Sequence, residues 1–157
     1  MPASSHTIQR RVQFAETDAA GIVHFSEFFR SMEEAEHDFY RSLGFSVFPH
    51  EALPGEEVGW PRVHASCDYR APLRFEEVFA VEVIVEAVRA RSIRFQIGFW
   101  KGEGDGTACW RSVGRLAIAC VRRDAETGKM GASEIPERIR GKIAPAPTES
   151  LLSNRNP

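Results

Sequence analysis

Apolar residues in the first third of the chain recur in steps of three and four. Phe25, Phe28, Phe29, Met32, Ala35, Phe39, Tyr40 and Leu43 fall on one side of a helical wheel, and Glu27, Arg30, Glu34, Asp38 and Arg41 fall on the other. The spacing predicts an amphipathic helix over Phe25–Leu43, with Gly44 placed to cap its C-terminus. At about 1.5 Å per residue such a helix is roughly 30 Å long, enough to cross a small domain. After Pro61 the period changes to two. Val63, Ala65, Cys67 and Tyr69 alternate with His64, Ser66, Asp68 and Arg70, and Phe79, Val81, Val83, Val85 and Ala87 alternate with positions that include Glu82 and Glu86. Ile93, Phe95, Ile97 and Phe99 repeat the pattern, and Trp110–Val121 reads as a further long strand between Gly102–Gly106 and Arg122–Gly128. A looser alternation over Thr7–Phe14 predicts a first strand. Gly44–Pro61, broken by Pro49, Pro54, Gly55 and Gly59, is irregular. EIPERIRGKI predicts a short helix, and residues 144–157, APAPTESLLSNRNP, are expected to form a flexible tail behind a single domain over 1–143.

One strand, one long helix and then a run of strands joined by short connections describe an α+β domain, an antiparallel sheet against a single helix. One helix cannot cover both faces of so apolar a sheet. A second subunit is therefore expected to cover what the helix leaves open.

Composition narrows the function. The chain has 157 residues, 43% of them hydrophobic and 27% charged, which is the balance of an ordinary globular domain rather than a disordered or disulfide-framed one. With 20 Lys and Arg against 22 Asp and Glu the net charge is −2, so no basic field draws the chain to nucleic acid or to an anionic membrane. No apolar run approaches the roughly 20 residues of a membrane span. The N-terminal MPASSHTIQRRVQF lacks the apolar centre of a secretory signal, so a cytoplasmic protein is expected. Cys67, Cys109 and Cys120 show no CxxC spacing and are expected to be reduced thiols.

The loop Ala15–Gly21 carries the most suggestive chemistry. Asp18 stands just ahead of the predicted helix, and a helix N-terminus presents unpaired N–H groups and a positive dipole end. That pairing could polarise a carbonyl while the carboxylate attacks it or activates water. On spacing alone, Asp18 reads more readily as an ordinary turn or capping carboxylate. Glu34-x-x-His37 has the spacing of a bundle metal pair, but one such motif on one helix makes no site. His6, His50 and His64 show no ligand spacing, so no metal and no organic cofactor are expected. Neither a G-x-S-x-G elbow nor a phosphate-binding glycine loop occurs.

TDAAGIVHFSEFFRSMEEAEHDFYRSLG followed by GWPRVHASCDYRAPLRFEE resembles the 4-hydroxybenzoyl-CoA thioesterase family over roughly residues 7–125. The most specific part is Asp-x-x-Gly-(Ile/Val)-Val ahead of an aromatic helix ending in Leu-Gly. The resemblance implies the hotdog fold, a long central helix wrapped by an antiparallel sheet. It also implies homodimers that often pair into homotetramers, and hydrolysis of an acyl-CoA thioester without a cofactor. It makes Asp18 the catalytic carboxylate and the backbone N–H near Phe25 the group that polarises the thioester carbonyl. Gly21 and His24 would border the substrate, and Gly59, Trp60 and Pro61 would line the acyl pocket. The chain departs from the pattern where many members carry Tyr or His seven residues after the Asp. Here that residue is Phe25, with His24 one position earlier, either as a proton relay or as a packed histidine.

The phosphates of CoA need cations, and Arg89, Arg91, Arg94, Arg122 and Arg123 cluster near strand ends. Each is also readable as a solvated charge that keeps strand ends from aggregating. Two other functions fit the same fold: an enoyl-thioester hydratase using an Asp–His pair, and an acyl-CoA-binding module without turnover. Asp18 and His24 have the wrong spacing for the first, Asp-x-Asn-Pro-(Leu/Ile)-His, and an intact Asp18–Gly21 loop argues against the second. The expected function is therefore hydrolysis of an aromatic or medium-chain acyl-CoA.

Overall fold

In the computed structural model, which describes residues 1–48, 53–102 and 108–155, the apolar side of helix α1 (Phe25–Ser42) lies on alternate residues of a five-stranded antiparallel sheet. The strands are β1 (Ser5–Arg11), β2 (Arg62–Tyr69), β3 (Val78–Val88), β4 (Ser92–Gly102) and β5 (Ala108–Ala119), in the spatial order β1-β3-β4-β5-β2. Period-two alternation sends Phe79, Val81, Val83 and Val85 of β3 and Ile93, Phe95, Ile97 and Phe99 of β4 toward Phe28, Met32, Ala35 and Phe39 of α1, all of them buried. At Gly114 of β5 a side-chain Cβ would collide with Met32 Sδ of α1. A glycine there lets the helix settle onto the centre of the sheet.

The helix ends as expected, with Gly44 in the left-handed conformation at φ +82°. β1 stops earlier than its alternation predicts. At Val12 the backbone turns to bond Glu77, and Phe14–Glu16 winds into a single turn whose Gln13 N–H donates to the Glu16 carboxylate. Beyond β5 the chain forms a separate hairpin of β6 (Val121–Arg123) and β7 (Met130–Ala132), then a short helix α2 (Glu137–Arg140). His50 and most of the Gly102–Gly106 turn lie outside the described residues. No helix among the described residues is long and apolar enough to cross a membrane.

The expected flexible tail is instead a strap. Residues 144–155 run across the face of the sheet that α1 does not cover. Ala146 N–H donates to Val85, Leu152 N–H donates to the buried Gln96 side chain at 2.8 Å, and Leu152 packs on Ile84 and Val113. Arg155 forks onto the Glu82 carboxylate at 2.8 and 3.1 Å, with its guanidinium 5.9 Å from the centre of the Trp100 ring. The low-complexity look of APAPTESLLSNRNP hid these anchors, because each depends on a partner far away in sequence. At the centre of this face the cover that a second subunit was expected to help provide comes from the chain's own strap.

Candidate active site

The loop ahead of α1 is held from three sides. Arg10 on β1 donates to Glu16 at 2.7 Å and to Ser31 on α1 at 2.8 Å, and pairs with Glu34 at 2.9 Å. Glu34 is thus a partner of Arg10 rather than one half of a ligand pair with His37. Thr17 and Val23 bridge each other across the loop, Asp18 N–H bonds Ile22 C=O at 2.9 Å, and Gly21 N–H bonds Asp18 C=O at 3.0 Å. Gly21 closes this turn at φ +75°, a conformation that any side chain would strain. Val23 N–H then donates to Leu73, tying the loop to the segment after β2.

The two carboxylate oxygens of Asp18 have different surroundings. Its Oδ1 accepts the Ala20 N–H at 2.8 Å and, more weakly, the Ile22 N–H at 3.5 Å, which is the turn-capping role. Its Oδ2 makes no hydrogen bond among the described residues, and the side chain borders a cavity of about 350 Å³. The other walls are Ile22, Val23, Phe25, Phe28, Tyr69, Arg70, Ala71 and Pro72, so the cavity is mainly apolar with a carboxylate and a guanidinium at its rim.

Phe25, the first residue of α1, lines the same cavity, and its N–H has no partner among the described residues. His24 is the N-cap. Its Nδ1 accepts the Ser26 N–H at 3.3 Å and lies 2.7 Å from Ser26 Oγ, and its backbone N–H donates to Glu16 C=O. A histidine used in this way holds the helix start in place. It is not among the residues that line this cavity. The Phe25 carbonyl accepts a hydrogen bond from the Tyr69 hydroxyl at 2.9 Å, and the Tyr69 ring meets Phe28 edge-on at 5.2 Å. Tyr69 and Arg70 were missed by sequence reasoning. Their signal was positional, at the end of an alternating run just before Ala71-Pro72.

The remaining expected site residues lie at the other end of the sheet within one chain. Gly59 pairs with Val121, the Pro61 carbonyl accepts the Ala119 N–H, and Trp60 stacks on Tyr40 at 6.1 Å beside the C-terminal half of α1. Arg89 and Arg91 flank the β3–β4 turn, while Arg94 pairs with Glu86 at 3.1 Å. Arg122 donates to Gly55 C=O at 2.7 Å and Arg123 to Gly128 C=O at 3.0 Å. The antiparallel registers place all of these opposite the end that carries Asp18 and Tyr69, so a single chain does not gather them around the cavity. Arg122 and Arg123 do share a second, shallower cavity of about 370 Å³ with Lys129, a cation the sequence reading passed over. Burial pushes the Cys67 and Cys120 thiols up to about 11, which keeps both protonated and poorly nucleophilic.

The chain is similar to several proteins of known sequence or structure. A protein of Aquifex aeolicus (strain VF5) that carries the name of an esterase is 40% identical over 87 residues, 55% of this chain and 66% of that protein. A 1,4-dihydroxy-2-naphthoyl-CoA hydrolase of Prochlorococcus marinus (strain MIT 9303) is 33% identical over 99 residues, 59% of this chain and 63% of that one. The chain thus spans just under two thirds of the length of these curated relatives. The solved structure of 4-hydroxybenzoyl CoA thioesterase from Pseudomonas sp. strain CBS-3 superposes with a TM-score of 0.78 at 19% identity, covering 90% of this chain and 100% of that one, which shows the common hotdog fold. The sequence profile of the thioesterase-like superfamily matches residues 12–151, and the chain belongs to that family.

Proposed function

We propose that this protein hydrolyses acyl-CoA thioesters, with Asp18 as the reacting carboxylate and the Phe25 N–H as the group that polarises the carbonyl. The observation that carries this reading is the shared cavity: a carboxylate with one uncommitted oxygen and the start of a helix with an unpaired N–H border the same apolar space. As general base, Asp18 takes a proton from water while the water oxygen attacks the thioester carbon. Negative charge then gathers on the carbonyl oxygen, where the Phe25 N–H and the positive end of the helix dipole stabilise it. The C–S bond breaks, the CoA thiolate leaves with the proton, and the free acid remains. As nucleophile, Asp18 would instead attack the carbonyl itself, expel the thiolate and form an anhydride that water opens. A single turnover in labelled water tests this: label in Asp18 assigns the nucleophilic route, with water opening the anhydride at the Asp18 carboxyl carbon.

The names of the relatives favour an aromatic acyl group, and the Phe25, Phe28 and Tyr69 walls suit one; a medium aliphatic chain would also fit. β2 is one of the two edge strands of the sheet, at the end opposite β1. Pairing two copies through this edge about a two-fold axis would lay the Arg62 end of one beside the Tyr69 end of the other. Gly59–Pro61 and the basic hairpin of the second copy would then reach the Asp18 cavity of the first. The reading therefore includes a cytoplasmic homodimer or homotetramer whose CoA phosphates meet Arg89, Arg91, Arg94, Arg122 and Arg123.

Thiol release from a panel of aromatic, short and long acyl-CoAs, with Asp18→Asn alongside, tests the reading. Release by the wild type from one acyl class, reduced about 10²–10⁴-fold in the variant, is the expected result. Release that persists in the variant removes Asp18 from the mechanism. The absence of release from any thioester would move the assignment to the hydratase, whose sign would be loss of enoyl absorbance from crotonyl-CoA, or to the binding module.

A further inference from the structure

We infer that Tyr69 is a positioning residue for the proposed thioester hydrolysis, its hydroxyl fixing the first turn of α1 so that the Phe25 N–H is held toward the carbonyl to be polarised. The inference rests on the reading above and adds to it a residue that never touches the reacting atoms.

A helix start is the loosest part of a helix, because its first N–H groups lack partners within it. Here two bonds come from the loop side, His24 N–H to Glu16 and Ser26 N–H to His24 Nδ1. The Tyr69 hydroxyl supplies a third from the opposite side, across 44 residues of sequence, to the carbonyl of the residue whose own N–H is unpaired. A clamp on that carbonyl limits rotation of the first turn and so sets the direction of the N–H on the same Cα. The phenol ring is itself held. It meets Phe28 edge-on, and Phe28 in turn meets Phe99 of β4 at 5.0 Å, so the clamp is braced against the centre of the sheet. Partial desolvation and the neighbouring Cys67 raise the Tyr69 phenol above its usual range, which keeps it a proton donor throughout neutral pH.

The ring walls the cavity and the hydroxyl holds the helix, so the two roles separate by substitution. Tyr69→Phe keeps the wall and removes the clamp. With an acyl-CoA that the wild type hydrolyses, kcat is expected to fall about tenfold with KM within twofold, since orientation is lost and ground-state contacts are kept. A change confined to packing would move KM or the folded fraction instead. The second readout is the carbonyl stretch of an acyl-CoA bound to Asp18→Asn, compared with Asp18→Asn/Tyr69→Phe. Polarisation lowers this frequency, and the shift is expected to shrink when the hydroxyl is absent. Wild-type kcat in Tyr69→Phe, or an undiminished shift in the double variant, overturns the inference and leaves the thioesterase reading standing. If the wild type releases no thiol from any acyl-CoA, that reading falls and the inference falls with it.

Discussion

Arg62 Nη1 lies 2.6 Å from Oε2 of Glu36, an ion pair that joins the edge strand β2 to the middle of α1. Glu36 is almost wholly buried, and burial lifts its carboxyl from about 4.5 to about 7 in spite of Arg62. An unfolded chain ionises this group near 4.5 and the folded chain only near 7. Between those values the unfolded state holds fewer protons, so stability falls as pH rises from about 4.5 to 7 and then levels off. The contribution is on the order of 3 kcal/mol. Urea unfolding at pH 5 and pH 8 is expected to show this decline in the wild type. In Glu36→Gln that part of the decline should be missing, and an equal decline in the variant would assign it to other groups.

Gly114 of β5 lies directly against Met32 of α1. Gly114→Ala forces the buried Met32 thioether aside, at a cost of about 1–3 kcal/mol. Met32→Ala costs about 2–5 kcal/mol for the cavity it leaves. Combined, the two changes are expected to cost clearly less than their sum, because the new methyl occupies vacated space. Simple additivity in denaturant titrations would show that the helix moves away instead.

His24 caps the helix start, so His24→Ala should lose about 1 kcal/mol of stability, while His24→Asn, with a capping oxygen of its own, should lose much less. A histidine acting only as a proton relay would give the opposite pattern, with stability unchanged and thiol release lost in both variants.

How much of this was readable in advance varies with how local the cause is. The face of α1 was legible because Phe28, Met32, Ala35 and Phe39 repeat at the period of a helix, and β3 and β4 because Val81, Val83, Phe95 and Ile97 repeat at the period of a strand. Asp18 was legible as a turn residue because its bonds go to Ala20 and Ile22, within the same loop. The Tyr69 bond to Phe25 and the Arg155 bond to Glu82, 44 and 73 residues apart, leave no local trace. The arginines were legible as a cluster of charges. Their distance from Asp18 follows from strand order and register, which composition does not encode.

The strap over the outer face makes a separate prediction. Leu152→Ala should cost about 2–5 kcal/mol, since Leu152 is fully buried against Ile84 and Val113. Ending the chain at Ile143 should uncover that apolar patch and promote association, visible as dye binding and light scattering. A monodisperse truncated protein of unchanged stability would show that the strap contributes little.

During synthesis, the strands that build the outer patch leave the ribosome before the segment that shelters it. β5 is complete at Ala119, while the cover begins only at Ala144, beyond the β6–β7 hairpin and α2. A nascent chain therefore passes through an interval in which Ile84, Val113 and Trp100 face water on an otherwise finished sheet. The length of that interval is set by translation speed.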